Sequence, residues 1–343
     1  KLAKKRGFSR LSGFVNGVLR NISRKKETIS YPKKDKNFVT YLSVTYSIPE
    51  WIIKFFMKTY DDETVEKIIE SYLEDKKTTL CCLMSKGGKD VIRKELEEEN
   101  VTVEDGELIE NAVKISDYDF LYRLRAFREG KCYVQDESSM LCAKLAGAKE
   151  GQFVMDLCSA PGGKSLYTAD QMKGSGQVLS RDLTEYKTDL IEDNIERMGF
   201  TNMEAEVFDA TILDEEHIEA ADVVIADVPC SGLGIMGKKN DIKYHISEDG
   251  MKDLVKLQRE ILTNAVQYVK HGGTLIYSTC TINPEENEKN MQWIINNFDY
   301  EAVDITEELP KNLKIETAKD GYIQLLPGVH SCDGFFIAKL RRK

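Results

Sequence analysis

The chain has 343 residues, an apolar content of 41% and a formal net charge of −10. Its length allows two domains with a sizeable core, and no apolar run approaches the ~20 residues that a membrane span needs. The eight cysteines show no CxxC spacing and do not cluster with the four histidines. This pattern argues against zinc and against a disulfide framework, and it favours a reducing cytoplasm.

Charge is distributed unevenly along the chain. Residues 1–36 hold twelve Lys or Arg against two acids, which is a local charge of +10. Because the whole chain has a net charge of −10, the remaining residues together carry about −20. A basic arm on an acidic body suits local binding to a polyanion, with a solvated tail as the alternative. The first residue is not Met, from which we expect a fragment or an engineered boundary.

The first part of the chain predicts an isolated helix followed by a small α+β unit. Apolar residues recur at helical spacing over 7–24, which is typical of an amphipathic helix. Pro49 favours a helix start. The predicted elements are a polar linker at 31–37, helices at 51–60, 63–74 and 89–98, and strands at 78–84 and 101–113, the last interrupted by Asp105-Gly106.

Strands and helices alternate after Ser138. The predicted strands are 153–157, 177–180, 205–208, 223–226 and 274–278, and the predicted helices are 164–172, 184–198, 253–269 and 285–297. This alternation predicts right-handed crossovers and an α/β fold with a parallel sheet covered on both faces. Residues 322–325 and 334–340 have no helix between them, so they predict an antiparallel hairpin at the sheet edge.

A small-residue loop follows the first of these strands. It reads Asp156-Leu157-Cys158-Ser159-Ala160-Pro161-Gly162-Gly163-Lys164-Ser165 and opens a helix. Small residues allow close backbone approach to a ligand, and free N–H groups at a helix start favour an anionic group. A phosphate-binding P-loop needs Gly where Cys158 stands, and the dinucleotide fingerprint is also missing. A merely tight strand-to-helix turn remains the structural alternative.

Acids end the next strands at Asp182, Asp209 and Asp227. Each alone is more often a cap or turn residue. Together with the small-residue loop they predict a pocket for a nucleoside, because ligands bind at the carboxyl ends of parallel strands and an acid after the second strand binds a ribose diol. A diol, an amino-acid carboxylate and adenine all fit such a pocket, which indicates S-adenosylmethionine as the cofactor.

Cysteines lie just past the last two of the five strands, Cys230 in Asp227-Val228-Pro229-Cys230-Ser231-Gly232 and Cys280 in Ser278-Thr279-Cys280-Thr281. A lone cysteine is often a small core residue, but two thiols in polar turns near a methyl donor favour nucleophilic catalysis. Methylation of a pyrimidine at C5 needs this chemistry, because a thiolate added to C6 makes C5 nucleophilic. These residues alone leave open which thiol attacks.

These motifs, with Pro284-Glu285-Glu286-Asn287, Leu326-Pro327-Gly328 and Asp333-Gly334-Phe335-Phe336, resemble those of the Sun-type RNA cytosine-C5 methyltransferases. The similarity runs from about Tyr133 to the end of the chain. The segment 14–20 also resembles the last helix of a NusB-like RNA-binding domain, most of which we expect to be absent here. The resemblance implies a Rossmann-like methyltransferase core behind a small RNA-binding unit.

The resemblance also implies roles and domain boundaries. By position, Cys158 to Lys164 line the methionine part of the cofactor, Asp182 binds the ribose, Asp209 the adenine, and Asp227 lies between cofactor and base. Cys280 is then the nucleophile and Cys230 assists product release. The implied domains are a basic arm with a remnant helix and linker at 1–46, a small α+β RNA-binding domain at 47–128 and the methyltransferase domain at 129–343.

The leading hypothesis is therefore S-adenosylmethionine-dependent methylation of cytosine C5 in small-subunit ribosomal RNA, by a cytoplasmic monomer without metal or membrane contact. The alternative is a non-catalytic RNA-binding or ribosome assembly factor that retains the fold; the presence of both thiols and all three acids counts against it. An amino-methyltransferase is a third possibility. Such enzymes usually carry Asn/Asp-Pro-Pro-Tyr/Phe where this chain has Asp227-Val228-Pro229-Cys230.

Overall fold

The computed structural model describes residues 1–28, 30–74 and 77–343. These residues form two compact units, Lys1–Lys58 and Thr59–Lys343. The helices are α1 Leu2–Lys5, α2 Ser12–Lys25, α3 Phe38–Tyr46, α4 Glu50–Phe56, α5 Asp62–Ser71, α6 Gly88–Glu98, α7 Arg125–Arg128, α8 Glu137–Ala146, α9 Gly163–Gln171, α10 Glu185–Met198, α11 Ile242–His245, α12 Glu248–Tyr268 and α13 Glu288–Asn297. The strands are β1 Thr78–Cys82, β2 Thr102–Asp105, β3 Ala112–Ser116, β4 Cys132–Val134, β5 Phe153–Asp156, β6 Gln177–Asp182, β7 Met203–Val207, β8 Ala221–Asp227, β9 Val269–Thr279, β10 Tyr300–Ala302, β11 Tyr322–Leu325 and β12 Phe335–Arg342.

The first unit, Lys1–Lys58, is helical. The predicted amphipathic helix begins at Ser12 rather than at residue 7, because Gly7 has a φ of +81° and a 3₁₀ turn at Ser9–Leu11 intervenes. Its apolar side chains are exposed, as Phe14 at 72% shows. The side chain of Asn37 caps α3 by accepting from Thr40 N, a helix that the sequence did not predict. Within the described ranges, no helix is long and apolar enough to cross a membrane.

The second unit begins with α5, which is followed by a small antiparallel sheet in the order β2-β3-β1-β4. Leu80 and Cys82 of β1 pack with Ile92 and Leu96 of α6, so this helix covers one face of the sheet. The sheet and α6 share one buried cluster, and β4 lies beyond residue 128. The boundaries given above for the three domains stay a prediction.

The main sheet has the order β10-β12-β9-β8-β5-β6-β7, and β11 also pairs with β12. Strands β5 to β9 run parallel, whereas β12 pairs antiparallel with β9, β10 and β11. The predicted α/β class with a Rossmann-like methyltransferase sheet and an antiparallel hairpin at its edge is confirmed. Because the parallel strands share a direction, their carboxyl ends lie together along one edge of the sheet. This holds for β5, β6, β7, β8 and β9.

Helices cover both faces of the main sheet. Val223 and Ile225 of β8 pack in the cluster that contains residues of α8 and α9, whereas Val224 and Ala226 pack with residues of α12 and α13. Burial on both faces explains why β8 is a continuous apolar run instead of an alternating one. Helix α13 begins at Glu288, later than predicted, because the preceding Pro284–Asn287 segment forms a turn.

Candidate active site

The loop between β5 and α9 is held by a buried carboxylate that sequence reasoning did not single out. Asp156 is 1% exposed and accepts from Ser165 Oγ at 2.7 Å, and Ser165 in turn lies 2.9 Å from Ser159 Oγ. Burial raises the pKa of Asp156 to about 6. Gly162 precedes α9 with a φ of +98°, a conformation that glycine adopts without strain. These contacts fix the conformation of the predicted cofactor loop from its buried side.

Asp182 at the end of β6 lies directly against this loop. Its Oδ2 atom accepts from Ala160 N at 2.9 Å, and its Oδ1 atom accepts from Leu183 N and Lys187 Nζ, each at 2.8 Å. The carboxylate is nearly buried, at 4% exposure. Two predicted site residues, Asp182 and Ala160, are thus brought together, and the sequence did not indicate that they bond to each other.

Asp209 follows the neighbouring strand but is bound within its own turn. Its Oδ1 atom accepts from Thr211 N at 2.9 Å and from Thr211 Oγ1 at 2.7 Å, and these bonds lower the pKa of Asp209. Phe208 N donates to Asp182 O at 2.9 Å. The two acids therefore stand on adjacent chain segments at the same sheet edge, as expected for parallel strands.

Asp227 at the end of β8 forms an ion pair with Lys164. Lys164 Nζ lies 2.5 Å from Asp227 Oδ2, and Ser278 Oγ donates to Asp227 Oδ1 at 2.9 Å. Burial disfavours the charge of Lys164, but Asp227 outweighs it, so the pKa of Lys164 is raised. The ammonium group also lies 5.3 Å from the ring centre of Phe335 in β12. By its position in the loop, Lys164 was expected to line the methionine part of the cofactor. No pattern in the sequence indicated its ion pair with Asp227.

The two cysteines meet beyond the ends of β8 and β9. Asp227 and Ser278 are register partners in these parallel strands, so the loops that follow them are adjacent. The Sγ atoms of Cys230 and Cys280 lie 3.3 Å apart. The hydrogen bond to Cys280, followed by burial, raises the pKa of Cys230 well above its ordinary value. A thiol with a raised pKa stays protonated and can donate a hydrogen bond to its neighbour.

The edge of the sheet fits a nucleoside with an amino-acid tail. Acids end adjacent strands, glycines open α9, and the buried Oδ1 atom of Asp156 has no hydrogen-bond partner among the described residues. These features suit S-adenosylmethionine, whose diol, adenine and methionine groups need such acceptors and donors. In the described part of the chain no group of His, Cys, Asp and Glu side chains is arranged to hold a metal ion.

The fold and the site define a class I methyltransferase. The family model described as 16S rRNA methyltransferase RsmB/F matches residues 143–341. The chain therefore belongs to the RsmB/F family of RNA methyltransferases, as the sequence motifs predicted.

Named relatives and solved structures are similar to this chain. A probable ribosomal RNA small subunit methyltransferase B of Bacillus subtilis is 36% identical over 348 residues, with 100% of this chain and 76% of that protein covered. Ribosomal RNA small subunit methyltransferase F of Klebsiella pneumoniae is 33% identical over 217 residues, with 62% of this chain and 45% of that protein covered. The crystal structure of PH0851 superposes with a TM-score of 0.83 at 31% identity. The matched region covers 92% of this chain and 71% of the PH0851 chain. NSun6 from Pyrococcus horikoshii, solved with SFG, has a TM-score of 0.77 at 20% identity, covers 86% of this chain and 98% of its own, and shows the likeness of fold.

Proposed function

We propose that this protein transfers a methyl group from S-adenosylmethionine to C5 of a cytosine in small-subunit ribosomal RNA. The observation that carries the proposal is the pair of thiols 3.3 Å apart beside the Lys164–Asp227 ion pair. The names of its relatives, which are small-subunit ribosomal RNA methyltransferases B and F, support the choice of RNA. Chemistry at C5 of a pyrimidine explains why thiols stand at a methyltransferase sheet.

The cofactor contacts in this proposal follow the strand ends. Cys158 to Lys164 line the methionine part, Asp182 accepts from the ribose hydroxyls, and Asp209 binds the adenine amino group. When bound, S-adenosylmethionine supplies an electrophilic methyl group. Asp182 suits its task because its carboxylate is fixed by Ala160 N and Leu183 N before a ligand arrives, so binding costs little ordering of the side chain.

Cys280 acts as the nucleophile in the proposed mechanism. Its thiolate forms a bond from Sγ to C6, and the electron pair of the C5–C6 double bond moves to C5, in conjugation with C4 and N3, so that C5 becomes nucleophilic. Asp227, held by Lys164 and Ser278, accepts from the exocyclic amine and fixes the base. Pre-positioned groups of this kind stabilise developing charge without reorganising during the reaction.

Cys230 assists the end of the cycle. After methylation, transfer of the C5 proton to solvent water returns an electron pair to the C5–C6 bond and expels the Cys280 thiolate. Cys230 has a raised pKa, so it remains a thiol and donates its S–H to the departing sulfur 3.3 Å away. With Cys230 as the donor, the same hydrogen bond stabilises the Cys280 thiolate before attack.

Methyl transfer to defined RNA tests the proposal. Wild-type protein is incubated with labelled S-adenosylmethionine and either small-subunit or large-subunit ribosomal RNA from cells lacking the gene, and the product is mapped by bisulfite sequencing. We expect one protected cytosine in the small-subunit RNA, and none when Cys280→Ala is used. Label on another atom or base, or on the large-subunit RNA alone, would contradict the proposal.

A further inference from the structure

A buried polar layer lies behind both thiol loops. Glu286, Gln258 and Asn287 are each 0% exposed and contact the backbone next to the cysteines. Burial of a charged or amide group is costly unless its hydrogen bonds are satisfied. The polar side chains at these positions are therefore expected to make specific hydrogen bonds, which apolar residues could not make.

Glu286 and Gln258 hold the chain on both sides of Cys230. Glu286 Oε2 accepts from Ser231 N at 2.8 Å and from Gln258 Nε2 at 2.9 Å. Gln258 Nε2 also donates to Pro229 O at 2.9 Å. The residue before Cys230 and the residue after it are thus fixed by one carboxylate–amide pair.

The other oxygen of Glu286 anchors the pair to the turn that follows Cys280. Glu286 Oε1 accepts from Asn283 Nδ2 at 2.8 Å. Because both oxygens are engaged by donors from different segments, the carboxylate has little freedom to move. An amide in its place would present an N–H₂ group to one of these donors.

The loop of Cys280 is held by equivalent contacts. Asn287 Nδ2 donates to Thr281 O at 3.0 Å, and Asn287 Oδ1 accepts from Thr279 Oγ1 at 2.6 Å. The hydroxyls of Ser231 and Thr281, 2.7 Å apart, join the two loops directly. The separation of the thiols is thus set by side chains of the 283–287 turn and of α12.

We propose that Glu286 is a positioning residue for the methyl transfer, which, together with Gln258, fixes the Cys230 loop at the distance from Cys280 that product release requires. This inference rests on the proposed function. The hydrogen bond with Cys280 and burial raise the pKa of Cys230, and the negative charge of Glu286 raises it further. Glu286 therefore also helps to keep Cys230 protonated. Glu286 touches neither reacting sulfur and acts through the backbone.

The test compares Glu286→Gln with Cys230→Ala, the variant expected to accumulate the covalent protein–RNA adduct. Glu286→Gln keeps the shape but loses a hydrogen bond to Ser231 N or Asn283 Nδ2. We expect kcat to fall about 10- to 100-fold, as for a small misplacement of a reacting group, with the KM for S-adenosylmethionine unchanged. A several-fold rise in the adduct fraction should accompany the fall, which a merely destabilised protein would not show.

The neighbouring Glu285→Gln variant is the matched control, because Glu285 is 58% exposed and pairs with Lys289 at the surface; it should behave as wild type. If Glu286→Gln does not fold, Gln258→Leu, which removes the bond to Pro229 O, decides by the same criteria. A folded variant that turns over normally, or loses activity without adduct, overturns the inference while Cys230→Ala still traps adduct. Absence of adduct in Cys230→Ala overturns the proposed function and this inference with it.

Discussion

The Sγ atoms of Cys230 and Cys280 lie 3.3 Å apart although 50 residues separate them in the chain. Their proximity follows from the parallel pairing of β8 with β9, which sets Asp227 opposite Ser278. The loops that follow these two residues therefore start side by side at the same edge of the sheet. At this distance one thiol can hydrogen-bond to the other's thiolate, and the hydrogen bond to Cys280, followed by burial, raises the pKa of Cys230 well above its ordinary value.

Removal of the Lys164 cation should impair catalysis more than folding. Lys164→Met leaves Asp227 with Ser278 Oγ as its hydrogen-bond donor, so the carboxylate is no longer fixed toward the base. We expect kcat/KM for RNA to fall about 100-fold, the usual effect of losing one pre-positioned charged group. Lys173→Met is the control, because Lys173 is 75% exposed in a surface ion pair. Equal activity of the two variants would contradict the assigned role.

Asp182→Asn should weaken cofactor binding. The introduced amide places an N–H₂ group against Ala160 N or Leu183 N, both of which now donate to the carboxylate. Because hydrogen bonds to charged groups contribute about 1.5–3 kcal/mol, we expect the Kd for S-adenosylhomocysteine to rise about 10- to 100-fold in calorimetry. The exposed Asp189→Asn serves as control. An unchanged Kd for Asp182→Asn would remove this acid from the cofactor site.

Asp156 should make stability depend on pH. Its pKa of about 6 in the folded protein exceeds the ordinary 3.8, so between about pH 4 and 6 the folded state binds more protons than the unfolded state. The stability that this group contributes is complete at low pH and falls as pH rises through that window. In urea unfolding of cofactor-free protein, wild type should lose stability relative to Asp156→Asn between pH 4 and 6, and the difference should then stay level. Parallel curves for the two proteins would contradict this.

Gly234 should tolerate no side chain. A Cβ atom there would lie 2.1 Å from Gly334 O, where the backbone of the Cys230 loop meets the start of β12 through the Gly334 N to Gly234 O bond. We expect Gly234→Ala to lower the unfolding temperature and to abolish methyl transfer. Gly13→Ala in α2 has open space around its Cβ and should leave activity unchanged. Normal activity of Gly234→Ala would show that this contact is dispensable.

The sequence predicted the sheet and the strand-end residues, because apolar strand cores and turn residues are local signals. It did not predict the pairing of Lys164 with Asp227 or the bonds from Glu286, since such contacts join segments far apart in the chain. The sequence indicates Asp156 only as the start of a loop, because its burial depends on helices elsewhere in the chain. The sequence does not predict the helix at Phe38–Tyr46, because its start depends on the cap at Asn37, which ends a charged polar stretch.

The roles of the two thiols are tested most directly by denaturing electrophoresis of protein incubated with small-subunit ribosomal RNA and S-adenosylmethionine. Cys230→Ala should show a stable covalent protein–RNA complex, because Cys280 still attacks C6 and release is slowed. Cys280→Ala and the double variant should show none. A complex formed by Cys280→Ala and missing from Cys230→Ala would reverse the assignment, and a complex in neither would contradict covalent catalysis by this pair.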